Sequence, residues 1–188
     1  MTTRDAILAA ALKVLEEEGG AQFTTRAVCA IAQVSAPTLY HHFGNADGLL
    51  SAAILEAFRQ FLESKSSAIV SPIPEVALRQ GLDDYVRFAA ARPRLYAAMM
   101  GRWLEGVQIE AADRGYEQLQ RNVQAVAAAG RLAVSIEAAA DIVWASANAA
   151  ALLHLTAEMR KAAAPEPPVI EQMSEDAMRA ILIGGARA

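Results

Sequence analysis

Two short helices separated by a tight turn are the feature that most restricts how this sequence can fold. Apolar side chains at helical spacing predict one helix that begins near Thr24 and another that runs from Ala36 to about Phe43. Thr24 and Ser35 are residue types that cap a helix by accepting hydrogen bonds from its free N–H groups. Pro37 falls in the first turn of the second helix, where no intrahelical N–H is needed. This spacing predicts a helix-turn-helix.

The rest of the chain also has the pattern of helices. Its apolar residues, 54% of the total, are mostly alanine and leucine, which favour helices, and β-branched runs are scarce. Glycines and prolines divide the sequence into about nine helical segments. Short segments precede Asn45 and longer ones follow it. We therefore expect an all-α fold, in which a three-helix head (residues 1–46) is joined by a long helix to a larger helical domain (residues 47–188).

The charge of the chain does not by itself indicate a nucleic-acid partner. The formal net charge is -4, and residues 1–47 carry three basic and five acidic side chains. Any DNA binding must therefore depend on where the few cations lie. The chain has one cysteine, Cys29, which excludes an internal disulfide. With no signal-peptide pattern and no apolar run of ~20 residues, we expect a cytoplasmic protein.

The second helix of the pair has one apolar side and several polar ones. Leu39 and Phe43 are four residues apart, so both point to the same side, into the head. The spacing alone is equally compatible with an ordinary helical hairpin in an α-bundle. The remaining side chains are short or flat polar groups that can reach phosphates and base edges: Thr38, Tyr40, His41 and His42.

The residues of the helix pair resemble a known family. The segment TTRAVCAIAQVSAPTLYHHFGNADGLL is similar to the DNA-binding head of the TetR family of transcriptional regulators, and the resemblance covers about residues 4–52. It implies a ligand-responsive regulator, expected to be a repressor that binds a palindromic DNA operator as a homodimer. A small apolar ligand in the C-terminal domain would release it from DNA.

The resemblance implies base-reading roles for the start of the second helix. Ala36, Pro37 and Thr38 match the part that reads bases, and Arg26 matches a position that can reach a base or a phosphate. Gln33 stands where a turn glycine is common in the family, so the turn is expected to be slightly altered. Ala36 is shorter than the polar residue of many relatives, which removes one base contact.

The resemblance also implies contacts with the phosphate backbone. Tyr40 and His42 match residues that usually meet phosphates, and His41 could contact either a base or a phosphate. Ala46 stands where the family usually has a lysine that grips phosphate, and Asp47 beside it does not favour DNA. We therefore expect weaker DNA affinity than in typical members, with a salt dependence lower by about one unit of slope.

The segment DYVRFAAARPRLYAAMM resembles the regulatory domain of one TetR subgroup. This implies a ligand-binding core whose occupancy changes the spacing of two DNA-binding heads. Pockets of this kind are mostly apolar with a few polar groups, although aromatic and methionine side chains at helical spacing also form ordinary core. The candidate ligand-binding residues are Phe61, Phe88, Met99, Met100, Trp103, Trp144 and Asn148.

The last two helices are the expected dimer interface. The alanine-rich helix 137–161 and the helix 170–183 have small residues that permit close packing and leucines and methionines that supply bulk. In the family, these helices pair with those of a second copy in a four-helix bundle. The alternative is an intramolecular hairpin.

The sequence gives no sign of catalysis, a metal or a cofactor. Adjacent residues on a helix point about 100° apart, so His41 and His42 cannot share a metal, and no metalloprotease pattern surrounds them. Cys29 lies in the middle of a short helix and is expected to be a small core residue. Two hypotheses remain: a ligand-released repressor, and an architectural or protein-interaction module that keeps a weakened head.

Overall fold

The computed structural model describes residues 2–66, 71–107 and 110–184 of the chain. Within these ranges the backbone forms nine α-helices, one 3-10 turn and a single isolated β-bridge, which confirms the predicted all-α fold. The helices are α1 (Thr3–Glu18), α2 (Thr25–Ala32), α3 (Ala36–Phe43), α4 (Ala46–Ser66), α5 (Pro74–Ala91), α6 (Pro93–Leu104), α7 (Glu110–Ala128), α8 (Ile136–Arg160) and α9 (Pro167–Ile181).

The first helix begins one residue earlier than the sequence suggests. Thr2, rather than Thr3, caps α1: its hydroxyl accepts from the backbone N–H of Asp5, and its own N–H donates to the Asp5 carboxylate at 2.8 Å. The hydrogen bond from the Thr2 backbone lowers the pKa of Asp5, because it stabilises the charged carboxylate. Gly19, at φ 79°, ends the helix in a conformation that side chains rarely adopt.

Three helices, α5, α7 and α9, start earlier than their apolar spacing predicts, which places the starts near Val76, Gly115 and Ile170. Proline opens two of them, α5 at Pro74 and α9 at Pro167, since a proline is well tolerated where the first N–H groups are unbonded. The prolines at 165, 167 and 168 predict a stop between helices, but two of them belong to the first turn of α9. The third helix, α7, begins at Glu110 and occupies part of the stretch 106–113, which the sequence predicts as a loop. The sequence also predicts a loop over 69–75, of which residues 69–70 lie outside the described residues.

One compact unit comprises residues 1–64 and 92–112, so that α6 belongs with α1 to α4. Arg94 donates to the backbone carbonyl of Glu17, and Arg92 pairs with Glu16 at 3.3 Å. Both pairs fasten the start of α6 to the end of α1. The largest buried side chains of this unit include Ile7, Leu15, Leu39, Leu49, Leu95 and Tyr96.

The other compact unit comprises residues 65–91 and 113–188, which contain α5, α8, α9 and most of α7. After α9, the N–H of Ala133 donates to the carbonyl of Ile181 at 2.7 Å, and the N–H of Ile183 donates to that of Arg131. These bonds hold the end of α9 against the segment that follows α7. The core contains Leu78, Leu82, Val86, Val123, Val126, Val143, Met178 and Ile181.

Helix α8 combines length with an apolar composition. Among the described helices it is the one whose length and hydropathy would suffice to cross a membrane. Core helices of soluble proteins meet the same criterion, and α8 contributes seven buried residues to the unit, among them Ala140, Val143 and Leu155. The composition of α8 is thus accounted for by packing within the unit and by an exposed apolar side described below.

Candidate nucleic-acid interface

Helix α3 is held to its unit by a single buried side chain. Leu39 is fully buried, as is Val28 on the neighbouring helix α2, whereas Phe43 is only half-buried. The predicted core residue Ile31 is 43% exposed. Because α3 has eight residues, one inward anchor leaves most of its surface facing solvent. This is the arrangement of a helix that presents side chains to a partner.

The turn before α3 has the two features expected from its sequence. Gln33 adopts a left-handed conformation at φ 54°, which favours the glycine common at this place. Ser35 caps α3, since its hydroxyl accepts from the N–H of Thr38 at 3.3 Å and lies 2.8 Å from the Thr38 hydroxyl. The hydroxyl of Thr38 is therefore oriented by Ser35, and it retains further hydrogen-bonding capacity toward a base.

Two hydroxyl groups meet across the helix pair. The Tyr40 hydroxyl on α3 lies 3.4 Å from the Thr25 hydroxyl on α2, and Tyr40 is 42% exposed. The sequence predicts a DNA contact for Tyr40 but not for Thr25. The signal for Thr25 was its place directly after the capping residue Thr24, where its side chain stands at the open end of α2. Together the two hydroxyls form a small polar patch suited to a phosphate oxygen.

Few cations of the head are available to a ligand. Arg26 is exposed, and within the described residues it forms no ion pair. Arg4 stacks over the Phe43 ring with its guanidinium carbon 5.2 Å from the ring centre, and Lys13 lies 3.9 Å from Glu17. The cation–π contact leaves the Arg4 charge intact beside α3.

His41 and His42 occupy the last turn of α3, and both are exposed. Their ring centroids are 5.4 Å apart with the planes at 67°, and His42 also lies edge-on to Phe43. Neither imidazole has a carboxylate within ion-pairing distance in the described part of the chain. Positive charge on either ring would be favoured by the negative end of the helix dipole.

The start of α4 carries an ion pair in place of a free cation. Asn45 caps the helix by accepting from the N–H of Gly48 at 2.8 Å, and Ala46 is exposed. Asp47 is bound by the guanidinium of Arg102 at 2.6 and 2.8 Å. The acidic charge next to α3 is therefore compensated by a residue of α6, which the sequence did not reveal because the two residues lie 55 positions apart.

The predicted ligand-binding residues are divided between the two compact units. Phe61 and Met99 are buried in the first, where Met100 is half-buried and Trp103 is 44% exposed. Their candidate role stays a prediction. The second unit contains the other three, all half-buried: Phe88, Trp144 and Asn148.

Asn148 is held by a hydrogen-bond pair inside the second unit. The Tyr85 hydroxyl of α5 donates to the Asn148 side-chain oxygen at 3.0 Å, and the Asn148 amide donates to the Trp144 carbonyl at 2.8 Å. The predicted polar residue thus has a fixed orientation. Helical spacing places Tyr85 on an apolar side of its helix, and this spacing does not indicate that the Tyr85 hydroxyl has a hydrogen-bond partner.

Helices α8 and α9 both expose large apolar side chains. On α8 these lie on the side opposite the core, and Ser135 caps its start. On α9, Ser174 is buried, whereas Val169 is exposed. The large exposed apolar residues of these two helices are Leu152, Leu153, Met159 and Val169.

Comparison with known protein families supports the interpretation of the first helices that their sequence gives. Residues 7–53 match the family described as bacterial regulatory proteins, tetR family. A search of curated proteins gives no match. Within the described residues, no group of histidine, cysteine, aspartate and glutamate side chains is arranged to hold a metal ion.

Solved structures show the same fold along the whole chain. A Rhodococcus protein of unknown function is 22% identical with a TM-score of 0.80, and the match covers 97% of each chain. A TetR transcription regulator from Haloarcula marismortui is 19% identical (TM-score 0.72, 96% of this chain and 98% of that one). The fatty acid degradation regulator FadR from Bacillus halodurans is 16% identical (TM-score 0.74, 95% of each chain).

Proposed function

From the match of residues 7–53 to the TetR family of bacterial regulatory proteins, we propose that the chain is a ligand-responsive transcriptional repressor of that family. It binds a palindromic operator as a homodimer and leaves it when a small apolar ligand binds. Residues 1–46 form the DNA-binding part, and residues 47–188 form the ligand-binding and dimerisation part. The observation that carries the proposal is α3, anchored by Leu39 alone and otherwise open to a partner.

The roles of the DNA-contacting side chains follow from their positions. Thr38, oriented by Ser35, reads a base together with the exposed start of α3 at Ala36 and Pro37. This follows the use of the N-terminal part of a recognition helix in the major groove. The other contacts are to phosphate, where the hydroxyl patch and the exposed cation fix the register without reading sequence. They involve Tyr40, His41, His42 and Arg26.

A binding experiment with two hydroxyl variants tests this assignment. We expect the protein to shift a duplex from its own upstream region at low salt, in preference to a mixed-sequence duplex of equal length. Tyr40→Phe keeps the ring and should weaken binding to both duplexes alike, whereas Thr38→Val should mainly reduce the preference between them. A folded dimer that prefers neither duplex at low salt would refute the repressor proposal and leave the architectural module.

The exposed apolar residues of α8 support a homodimer through α8 and α9, since a second copy with the same surface would cover them. Each chain has a mass of 20.0 kDa, so light scattering should give twice that value. Leu152→Glu places a charge on the proposed interface and should yield monomers. Val76→Glu is the matched control, because Val76 is also exposed and apolar but lies on α5. Dimers that persist in Leu152→Glu would exclude this interface.

An apolar effector is supported by two half-buried aromatic side chains of the second unit, Phe88 and Trp144, and by the oriented amide of Asn148 in the same unit. Trp103 and Trp144 are the two tryptophans of the chain, so Trp103→Phe leaves Trp144 as the only reporter. Medium-chain apolar acids and alcohols should change its fluorescence and weaken operator binding, with a coupling of about 1–3 kcal/mol. Ligands that alter the fluorescence without affecting DNA binding would contradict the effector role.

A further inference from the structure

We propose that DNA binding by this protein is coupled to proton uptake by the pair His41 and His42. The inference rests on the proposed function, because it assigns a pH response to the same DNA-binding surface. Both imidazoles are exposed in the last turn of α3, beside the phosphate-contacting Tyr40, and they lie 5.4 Å apart. Proton uptake would supply the positive charge that this surface otherwise lacks.

The scarcity of other cations is what makes the two histidines decisive. Of the three basic side chains in α1 to α3, Lys13 lies beside Glu17, and Arg4 is stacked on Phe43. Ala46 offers no charge at the start of α4. Arg26 and Arg4 thus give the surface two usable charges. One protonated imidazole would raise the number of positive charges by half, and two would double it.

The groups around the histidines permit their protonation. The last turn of α3 favours a cation through the helix dipole. Charged side chains on the neighbouring elements include Arg4 and Asp5 on α1, Arg26 on α2, and Asp47 and Glu56 on α4, where Asp47 is bound by Arg102 and Glu56 by Arg59. In the described part of the chain no carboxylate holds either ring. A DNA phosphate would therefore be the first anionic partner of either ring.

Histidine is the side chain whose charge ordinarily changes between about pH 5 and 8. A phosphate that binds the protonated ring shifts this equilibrium toward protonation, and by linkage a lower pH must then strengthen DNA binding. Protonation of both rings is opposed by their mutual repulsion at this short distance. We therefore expect an uptake of between one and two protons for each DNA-bound subunit.

The test measures duplex affinity by fluorescence anisotropy at about pH 6 and about pH 8 over a range of salt concentrations. The wild type should bind roughly tenfold more tightly at the lower pH, and the salt slope per subunit should steepen by about one to two units there. The double variant His41→Gln, His42→Gln should lose this pH difference, whatever its affinity near pH 8. The mixed-sequence duplex serves as well as the upstream one, because phosphate contacts do not depend on sequence.

The third histidine of the chain provides a matched control. His154→Gln, on α8, removes an imidazole outside the DNA-binding surface and should keep the wild-type pH response. Circular dichroism at both pH values shows that each variant remains folded. Duplex binding with the same pH dependence in the wild type and the double variant would overturn the inference alone. Equal affinity for the upstream and mixed duplexes, with the pH response intact, would overturn the repressor proposal alone, and the absence of all duplex binding would overturn both.

Discussion

Breaking the Asp47–Arg102 ion pair should lower the free energy of unfolding by different amounts, depending on which partner is removed. The side chain of Arg102 is 15% exposed, whereas that of Asp47 is 64% exposed. Asp47→Ala leaves a largely buried guanidinium without its closest counter-charge. Arg102→Met leaves a carboxylate that water can solvate and replaces the buried stem by an apolar one. The first substitution should therefore be the more destabilising.

The magnitudes follow from the contacts of each group. Loss of a charged hydrogen-bond partner at a buried group costs about 2–3 kcal/mol, and Ser51 at 3.0 Å and Glu105 at 3.6 Å compensate part of this. We expect about 2 kcal/mol for Asp47→Ala and at most about 1 kcal/mol for Arg102→Met, since exposed ion pairs contribute little. In the Arg102→Met background, Asp47→Ala should cost only the helix-dipole contribution, under about 1 kcal/mol.

Trp103 allows the unfolding of the first compact unit to be followed by fluorescence. It neighbours Arg102 on α6, and the other tryptophan, Trp144, lies in the second unit. In a Trp144→Phe background, urea unfolding followed by tryptophan fluorescence therefore reports on the first unit. A larger loss in Arg102→Met than in Asp47→Ala would refute the reasoning from burial. Additive losses in the double variant would show that the two residues do not interact.

Three further substitutions have outcomes fixed by burial. Leu39→Ala removes the one buried anchor of α3 and should cost about 2–5 kcal/mol in urea unfolding; a cost below that of Ile31→Ala, at an exposed site, would contradict the anchoring role. Tyr85→Phe removes one hydrogen bond to the Asn148 oxygen and should cost about 1 kcal/mol, more than Tyr116→Phe does in the same urea unfolding experiment, because the Tyr116 bond to Asp141 is longer, at 3.3 Å. Burial lowers the pKa of His154, so the unfolded chain binds the proton more readily than the folded protein does. The free energy of unfolding should therefore fall as the pH drops below about 6.5. His154→Gln should flatten this pH dependence, and an unchanged pH profile in the variant would rule out His154 as its source.

The helices were predictable because their signals are local. Capping by Thr24 and Ser35, the proline in the first turn of α3 and the spacing of Leu39 all act within four residues, so the sequence displays them directly. The starts of α5 and α9 were placed too late because apolar spacing begins only after the prolines that open these helices. Proline restricts the chain at a helix start as well as at a helix end, and only the context distinguishes the two.

The surroundings of the candidate site were less predictable because they are not local. Arg102 compensates Asp47 from 55 positions away, and Tyr85 bonds Asn148 across 63 positions. The long side chains of tyrosine and arginine can lie along an apolar side of a helix while their polar ends reach beyond it. The spacing of apolar residues therefore could not show which polar atoms would form a hydrogen bond or an ion pair. The general features of the α3 surface were evident from the sequence, whereas its charge balance depended on packing.

The membership of α6 in the first compact unit determines how this protein can be recombined with others. A chimaera cut at residue 64 would separate α1 and α4 from Leu95, Tyr96 and Met99, which are buried in that unit, and a cut at residue 46 would separate α1 from them. The cut at residue 64 would also leave Asp47 without Arg102. An exchange of DNA specificity between relatives therefore has to transfer two stretches of sequence, residues 1–64 and 92–112, or else confine itself to the exposed side chains of α3.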